Sequence, residues 1–122
     1  MTLQHSRDRH STTERIALLN DRARAGLDRR ARIVLTANLL NRFSDGTRAS
    51  DIMAQARIMR SMRTCSFAED CPERDLAFFE VDTVRIMMKI DYYDDELEYG
   101  SEDPADASIT RRVITLMLPE DY

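Results

Sequence analysis

The sequence lacks several features on which common protein activities depend. Its 122 residues contain no tryptophan, a single lysine, two cysteines, three glycines and three prolines. There is no phosphate-binding glycine loop, dinucleotide fingerprint or zinc-finger pattern. Both histidines, His5 and His10, precede the first predicted helix, so a serine or cysteine nucleophile would have no histidine base in the folded part. We therefore expect no catalytic residues, no cofactor and no small-molecule substrate.

Hydrophobic runs are also short. None approaches the about 20 apolar residues that a transmembrane helix needs. The first ten residues are polar with no apolar stretch behind them, which does not match a secretory signal. We expect a cytoplasmic protein that does not contact membranes. Cys65 and Cys71 are then expected to be free thiols, with a loop disulfide as the alternative. Their spacing is not a standard zinc-ligand spacing.

Charge is divided unevenly along the chain. Residues 1–63 contain 13 arginines and six acidic residues, a net charge of +7. Residues 64–122 contain five basic and 16 acidic residues, a net charge of −11. If the fold keeps the two parts on separate faces, one face would attract nucleic acid and the other would repel it.

Hydrophobic periodicity predicts an α+β fold. The elements follow in the order α-β-α-β-β-β and form a single domain over 12–122, behind a disordered polar tail over 1–11. A small, mainly antiparallel sheet with two helices packed on one face would bury these elements. An exposed edge strand in such a sheet would make a homodimer possible.

Both helices are predicted in the first half of the chain. A capping box begins the first helix, which runs over 12–26 with Arg22 and Arg24 facing mostly outward. The second begins near Thr47 or Ser50. Its predicted inward face consists of Ile52, Ala56, Met59 and either Met62 or Arg63.

Three regions predict strands. A β-branched run over 32–36 predicts the first strand. A period of two in the apolar residues from Phe79 to Tyr92 predicts a hairpin that turns at Asp82-Thr83. Residues 110–118 predict the last strand, with every second residue apolar toward its end.

The sequence from Lys89 onward resembles a known family. The segments KIDYYD at 89–94, YGSEDPAD at 99–106 and TRRVITLML at 110–118 are similar to the bacterial family called domain of unknown function 3768. Looser blocks at 19–21 and 34–36 extend the resemblance over about 15–120. Arg74 stands where such sequences tend to have a histidine between two acids, so a role for that histidine is not expected here. The resemblance implies a small bacterial protein, frequent on mobile genetic elements, and brings no activity.

An acidic segment lies within this resemblance. Residues 91–106 contain eight carboxylates, no base, and tyrosines of the kind that interface centres favour. This density approaches that of duplex DNA, about one charge per 1.7 Å. We therefore expect a non-enzymatic inhibitor that docks a nucleic-acid-mimicking surface on a basic protein of a nucleic-acid-binding complex, as an anti-CRISPR or anti-restriction protein would. The expected contact residues are Asp91, Tyr93, Asp94, Asp95, Glu96, Glu98, Tyr99, Glu102, Asp103 and Asp106.

Other interpretations stay open. The acids could simply keep a connection between strands soluble. A metal-dependent hydrolase could use Asp91, Asp94 and Glu80, although no segment fits a known cation-binding loop. Arg111 and Arg112 are expected to pair with nearby acids. A nucleic-acid-binding regulator could instead use an arginine face. That face would consist of Arg22, Arg24, Arg29, Arg30 and Arg32.

Overall fold

The computed structural model describes residues 11–122. The elements are α1 (Thr12–Arg24), β1 (Arg32–Leu35), α2 (Ala37–Phe43), α3 (Arg48–Arg63), β2 (Leu76–Val81), β3 (Val84–Tyr93), β4 (Arg111–Met117) and a 3-10 helix (Pro119–Asp121). The sheet has the strand order β1-β4-β3-β2. β2 with β3 and β3 with β4 are antiparallel, whereas β1 is parallel to β4. The predicted α+β class is confirmed; α2 and one parallel pair are additions to the predicted arrangement.

Each helix begins at a side-chain cap. The hydroxyls of Ser11, Thr36 and Thr47 each accept a hydrogen bond from the backbone N–H three residues later. Ser11 therefore belongs to the folded domain, and the rest of the predicted tail lies outside the described residues. The helix α1 ends at Arg24, two residues earlier than predicted, and Gly26 follows with the left-handed φ of +80° that stops a helix.

All three helices pack on one face of the sheet. In β3, Ile86, Met88 and Ile90 alternate inward as predicted, next to Ile114 and Leu116 of β4. Burial of these side chains is the main stabilising contribution available to a domain of this size. The helices add Ala23, Leu39, Ile58 and Met62 to the same core.

The predicted inward face of α3 is wrong at Ile52 and Ala56, whereas Met62 is buried in the core and Met59 packs against it as predicted. Ile52 is 58% exposed and Ala56 is exposed, whereas Ala54, Ile58 and Met62 are buried. Apolar residues occur on both sides of this helix, so periodicity alone could not choose between two stripes. The contact of α3 with β2 selects the stripe that contains Ile58.

The hairpin between β2 and β3 turns as predicted. Asp82 and Thr83 both have positive φ, +49° and +68°, which is the geometry of a type I′ turn even though neither residue is glycine. Arg57 of α3 forms an ion pair with Asp82 and so connects the turn to the helical layer.

The second face of the sheet, here called the open face, carries none of the three α-helices of the described residues. Val34, Thr115, Lys89 and Leu76 form one row across its four strands. Val34 and Leu76 are 45% and 41% exposed, and Phe78 in the neighbouring row is 43% exposed. An apolar surface of this kind is available for contact with another protein surface.

Candidate functional site

The connection between β3 and β4, residues 94–110, forms what we call the acidic loop. A β-bridge between Tyr93 and Gly100 continues the pairing beyond β3. The Asp94 carboxylate then accepts hydrogen bonds from the backbone N–H groups of Glu96 (3.2 Å) and Glu98 (3.0 Å). Asp94 therefore holds the first turn of the loop closed.

The second half of the acidic loop is held in the same way. The carboxylates of Asp103 and Asp106 accept hydrogen bonds from the N–H groups of Ala105 (3.1 Å) and Ser108 (2.9 Å). Hydrogen bonds from the Ser108 hydroxyl and backbone N–H lower the pKa of Asp106. Thr110 is buried and donates to the carbonyl oxygen of Asp103 at 2.9 Å. The loop thus has a defined shape without an apolar core of its own.

Most carboxylates of the acidic loop are not neutralised by an ion pair within the described residues. Among residues 11–122, ion pairs neutralise Asp95, through Arg30, and Asp91, through Lys89 at 2.8 Å. Four other carboxylates of the loop are exposed and have no ion-pair partner within the described residues. These are Glu96, Glu98, Glu102 and Asp103.

A concave pocket of about 360 Å³ lies within this surface, lined by Asp94, Tyr99, Gly100, Glu102 and Ile109. The Tyr99 side chain is 72% exposed and Ile109 is 39% exposed. An exposed aromatic ring beside carboxylates suits an arginine or lysine side chain, since these carry a cation on an apolar stem. The chemistry of the pocket lining therefore suits a basic side chain.

The structure separates two of the predicted contact residues from the others. Asp91 and Tyr93 lie on β3, where they pair in register with Val113 and Arg111. Their alternation with the inward-facing Ile90 places both on the open face. The remaining eight predicted contact residues lie together on the acidic loop.

The predicted arginine face is broken up. Arg24 is 7% exposed, because its guanidinium lies 4.6 Å from the centroid of the Phe67 ring and pairs with Asp21, so its predicted outward position is wrong. Arg30 pairs with Asp95 and donates to the carbonyl oxygen of Ala107 at 3.2 Å. Arg22, Arg29 and Arg32 are exposed.

The two charged parts of the chain therefore do not form fully separate faces. The parallel pairing of β1 with β4 brings the segment before β1 next to the acidic loop, which leads into β4. Arg111 also contacts this segment, since its Nε donates to the Arg30 carbonyl oxygen at 3.1 Å. Basic residues here support the acidic loop from one side.

The three carboxylates of the hydrolase alternative are not brought together. Glu80 pairs in register with Arg85, and Asp91 lies six residues further along β3. At about 3.3 Å per strand residue, these positions are about 20 Å apart. Within residues 11–122, no group of three or more His, Cys, Asp or Glu side chains is placed to hold a metal ion.

A buried hydrogen-bond network supports the acidic loop, and our sequence analysis missed it. Fully buried Asn20 donates from Nδ2 to the Tyr92 hydroxyl (2.8 Å) and the Glu73 carbonyl oxygen (2.9 Å). The Tyr92 hydroxyl donates to Asp75 at 3.1 Å. Nε of Arg112 donates to Asn20 Oδ1 at 2.7 Å. Helix α1, the segment that precedes β2, and β4 thus meet at one polar cluster.

Arg112 connects this network to the acidic loop. It is 1% exposed, its guanidinium lies 5.1 Å from the centroid of the Tyr92 ring, and Nη2 donates to the Pro104 carbonyl oxygen at 2.6 Å. The expectation that Arg112 pairs with an acid is wrong, because its partners are an amide and a carbonyl. Strand alternation could have predicted that Arg112 is buried, since it lies on the same face of β4 as the inward-facing Ile114 and Leu116.

Arg74, which follows Glu73 in the segment before β2, has a structural contact. Its Nε and Nη2 donate to the two carboxylate oxygens of Asp21 at 2.9 and 2.6 Å. Such bidentate pairs are stronger than single-point ion pairs. Arg74 therefore links α1 to the segment that precedes β2.

Tyr92 offers a test of the buried network. Burial and the nearby Asp75 charge raise the pKa of Tyr92 above its usual value. A phenol with a higher pKa in the folded state favours folding below its unfolded pKa of about 10, and this contribution is lost as pH rises toward the folded pKa. We expect the free energy of unfolding to fall more steeply above about pH 10 in the wild type than in Tyr92→Phe.

Urea unfolding at a series of alkaline pH values measures this difference. Tyr99→Phe is the matched control, because Tyr99 is exposed and its removal should leave the slope of the wild type unchanged. Equal slopes for the wild type and Tyr92→Phe would contradict the assignment.

Fold and site together define a small α+β domain that presents a structured acidic loop between two sheet strands. The chain belongs to the family described as "Protein of unknown function (DUF3768)", which matches residues 39–121. The match contains the three segments that carried the resemblance and confirms it, whereas the looser blocks at 19–21 and 34–36 precede the matched range. Neither a curated protein nor a solved structure matches the chain. Among residues 11–122, no helix has the length and apolar character to cross a membrane.

Proposed function

We propose that this protein is a non-enzymatic binding protein that docks its acidic loop on a basic surface of a nucleic-acid-handling protein. The observation that carries the proposal is the exposed, unneutralised charge of four carboxylates on the acidic loop, one of which, Glu102, lines a pocket with an exposed tyrosine. Carboxylates that served only solubility would need neither the pocket nor the ring beside it.

The hydrogen bonds within the acidic loop favour binding by reducing its entropic cost. Asp94, Asp103 and Asp106 already hold the backbone turns, and Thr110 anchors the loop to β4. A loop that is ordered before binding loses less conformational freedom when the partner arrives. The remaining carboxylates can then act together on a complementary basic surface.

The natural ligand of such a basic surface would be the phosphate backbone of a nucleic acid. A protein that occupies this surface excludes the nucleic acid, and so the binding protein acts as an inhibitor. Its association would be salt-sensitive, because exposed charges are screened at moderate ionic strength. The narrower form, an anti-CRISPR or anti-restriction protein of a mobile element, stays a prediction that draws its setting from the family resemblance.

Charge reversal tests this proposal. We expect Glu96, Glu98 and Glu102, changed together to lysine, to weaken binding by about 100-fold at low salt, at about 1 kcal/mol for each reversed charge. Asp94 and Asp95 are left unchanged, since one holds the loop turn and the other pairs with Arg30. The fold should survive because the three glutamates are exposed and outside the buried network.

The measurement is affinity capture from host lysate, followed by binding of the purified partner with and without duplex DNA as competitor. The matched control reverses three exposed acids elsewhere, Glu69, Asp70 and Glu120, and so makes the same change in net charge. Support requires a basic, nucleic-acid-binding partner that the control retains, the triple variant loses and DNA displaces. Equal loss in both variants, or a partner that DNA does not displace, would contradict the proposal.

A further inference from the structure

The strand β2 presents an unpaired edge of the sheet. It is the terminal strand in the order β1-β4-β3-β2, and the Asp75 carbonyl oxygen just before it accepts from Ile90 N at 2.8 Å. Antiparallel pairing alternates between hydrogen-bonded and non-hydrogen-bonded pairs. Ala77, Phe79 and Val81 therefore bond to β3 through their backbones, and the intervening residues direct their backbone groups away from the sheet.

These outward-directed residues are Leu76, Phe78 and Glu80. Within residues 11–122, the contact recorded for their outward backbone groups is a weak one, from the Cys71 thiol to the Leu76 carbonyl oxygen at 3.5 Å. Natural edge strands are commonly protected by proline, lysine or a bulge. β2 has none of these, and its single charged residue is Glu80.

We propose that β2 pairs antiparallel with β2 of a second copy of this chain, with Phe78 facing its own counterpart on the two-fold axis. In this register Leu76 lies opposite Glu80 of the second copy, and all three outward-directed residues form hydrogen-bonded pairs. Shifting the register by two residues would leave some of these groups unpaired. The two sheets would join into one sheet of eight strands.

Charge supports a second copy as the occupant of this edge. Glu80 is next to Arg85 of its own chain. In the proposed dimer, Glu80 would lie opposite Leu76 of the second copy. The neighbour of that Leu76 on its own β3 is Lys89. No like charges become adjacent at the junction, although the chain carries a net charge of −4.

The antiparallel arrangement also keeps the acidic loops apart. The loop follows the end of β3, and the two β3 strands run in opposite directions in the pair. The two acidic loops would therefore lie at opposite ends of the joined sheet, where both stay accessible. On the open face, the exposed Leu76 and Phe78 side chains of both copies become one continuous apolar strip, with Arg85 packed over Phe78 at 4.3 Å.

Sedimentation equilibrium over a range of protein concentrations tests the pairing. The wild type should approach twice the 14.2 kDa of one chain as concentration rises. Phe78→Glu and Phe78→Lys should each stay at the mass of a single chain, because like charges would meet on the axis. An equimolar mixture of the two variants should recover the doubled mass. Val34→Glu, on the same face but at the opposite edge of the sheet, should dimerise like the wild type.

A second variant guards against misfolding at Phe78. Glu80→Pro removes an N–H that points away from the sheet, so it should abolish pairing while circular dichroism stays unchanged. A wild type that remains a single chain at millimolar concentration would overturn the proposal. So would dimers of Phe78→Glu or Phe78→Lys alone, a mixture that fails to pair, or loss of the dimer in Val34→Glu. None of these results depends on whether the acidic loop binds a partner.

Discussion

Replacing Arg112 with alanine is expected to lower the free energy of unfolding by about 3–5 kcal/mol. The substitution leaves the buried Asn20 Oδ1 without its donor at 2.7 Å and removes the donor to the Pro104 carbonyl oxygen. An unsatisfied buried acceptor costs about 1–3 kcal/mol, and the cavity left beneath Tyr92 adds to this. No carboxylate contacts the guanidinium among the hydrogen bonds of the described residues, so the loss concerns hydrogen bonds and packing.

Urea unfolding measures this effect, with Arg22→Ala as the control. Arg22 is an exposed arginine on α1, and its loss should change stability by less than about 0.5 kcal/mol. Hydrogen exchange adds a local measurement, because amides of residues 94–110 should exchange faster in Arg112→Ala. A change below about 1 kcal/mol would show that the network contributes little to stability.

Ile58→Ala in α3 is expected to cost about 2–5 kcal/mol, as deletions of fully buried aliphatic groups do. Ile58 has no exposed surface and belongs to the core between α3 and the sheet. The same substitution at Ile52, six residues earlier on the helix, removes a side chain that is 58% exposed. It should be neutral or slightly stabilising, because alanine is the better helix former.

The comparison of these two variants tests the orientation of α3 directly. Both change isoleucine to alanine in one helix, so helix propensity and lost volume are matched. Thermal or urea unfolding should separate them by at least about 2 kcal/mol. Similar losses at both positions, or a larger loss at Ile52, would mean that the helix packs through the predicted stripe instead.

The predicted fold was most accurate where local pattern and tertiary environment agree. The β2–β3 hairpin followed from the period of two, since Ile86, Met88 and Ile90 are buried on the inner face of β3; the exception is Met87, which is buried on the other face. The turn at Asp82-Thr83 followed because only these two residues separate the two alternating segments. The last strand followed for the same reason, apart from one residue at each end.

Prediction failed where the sequence allows two solutions. In α3, both the Ile52 and the Ile58 stripes are apolar, and contact with β2 decides between them. Arg24 looks like a surface residue in a charged segment, yet the Phe67 ring and Asp21 give it a buried position. The contact of Arg24 with Phe67 and the contact of α3 with β2 join residues far apart in the chain, so no local pattern contains them.

The sequence by itself determined the order of the strands and of α1 and α3, the hairpin, the cap at Ser11 and the location of the acidic loop, because each depends on residues close together in the chain. Tertiary structure decided which carboxylates stay unpaired and which arginines are buried. The parallel pairing of β1 with β4 brought Arg30 to Asp95, and the packing of α1 brought Asn20 to Arg112. The net charge of a segment is the sum over its residues and can be read from the sequence. The charge that remains unpaired at the surface depends on which oppositely charged residues the fold places within contact distance.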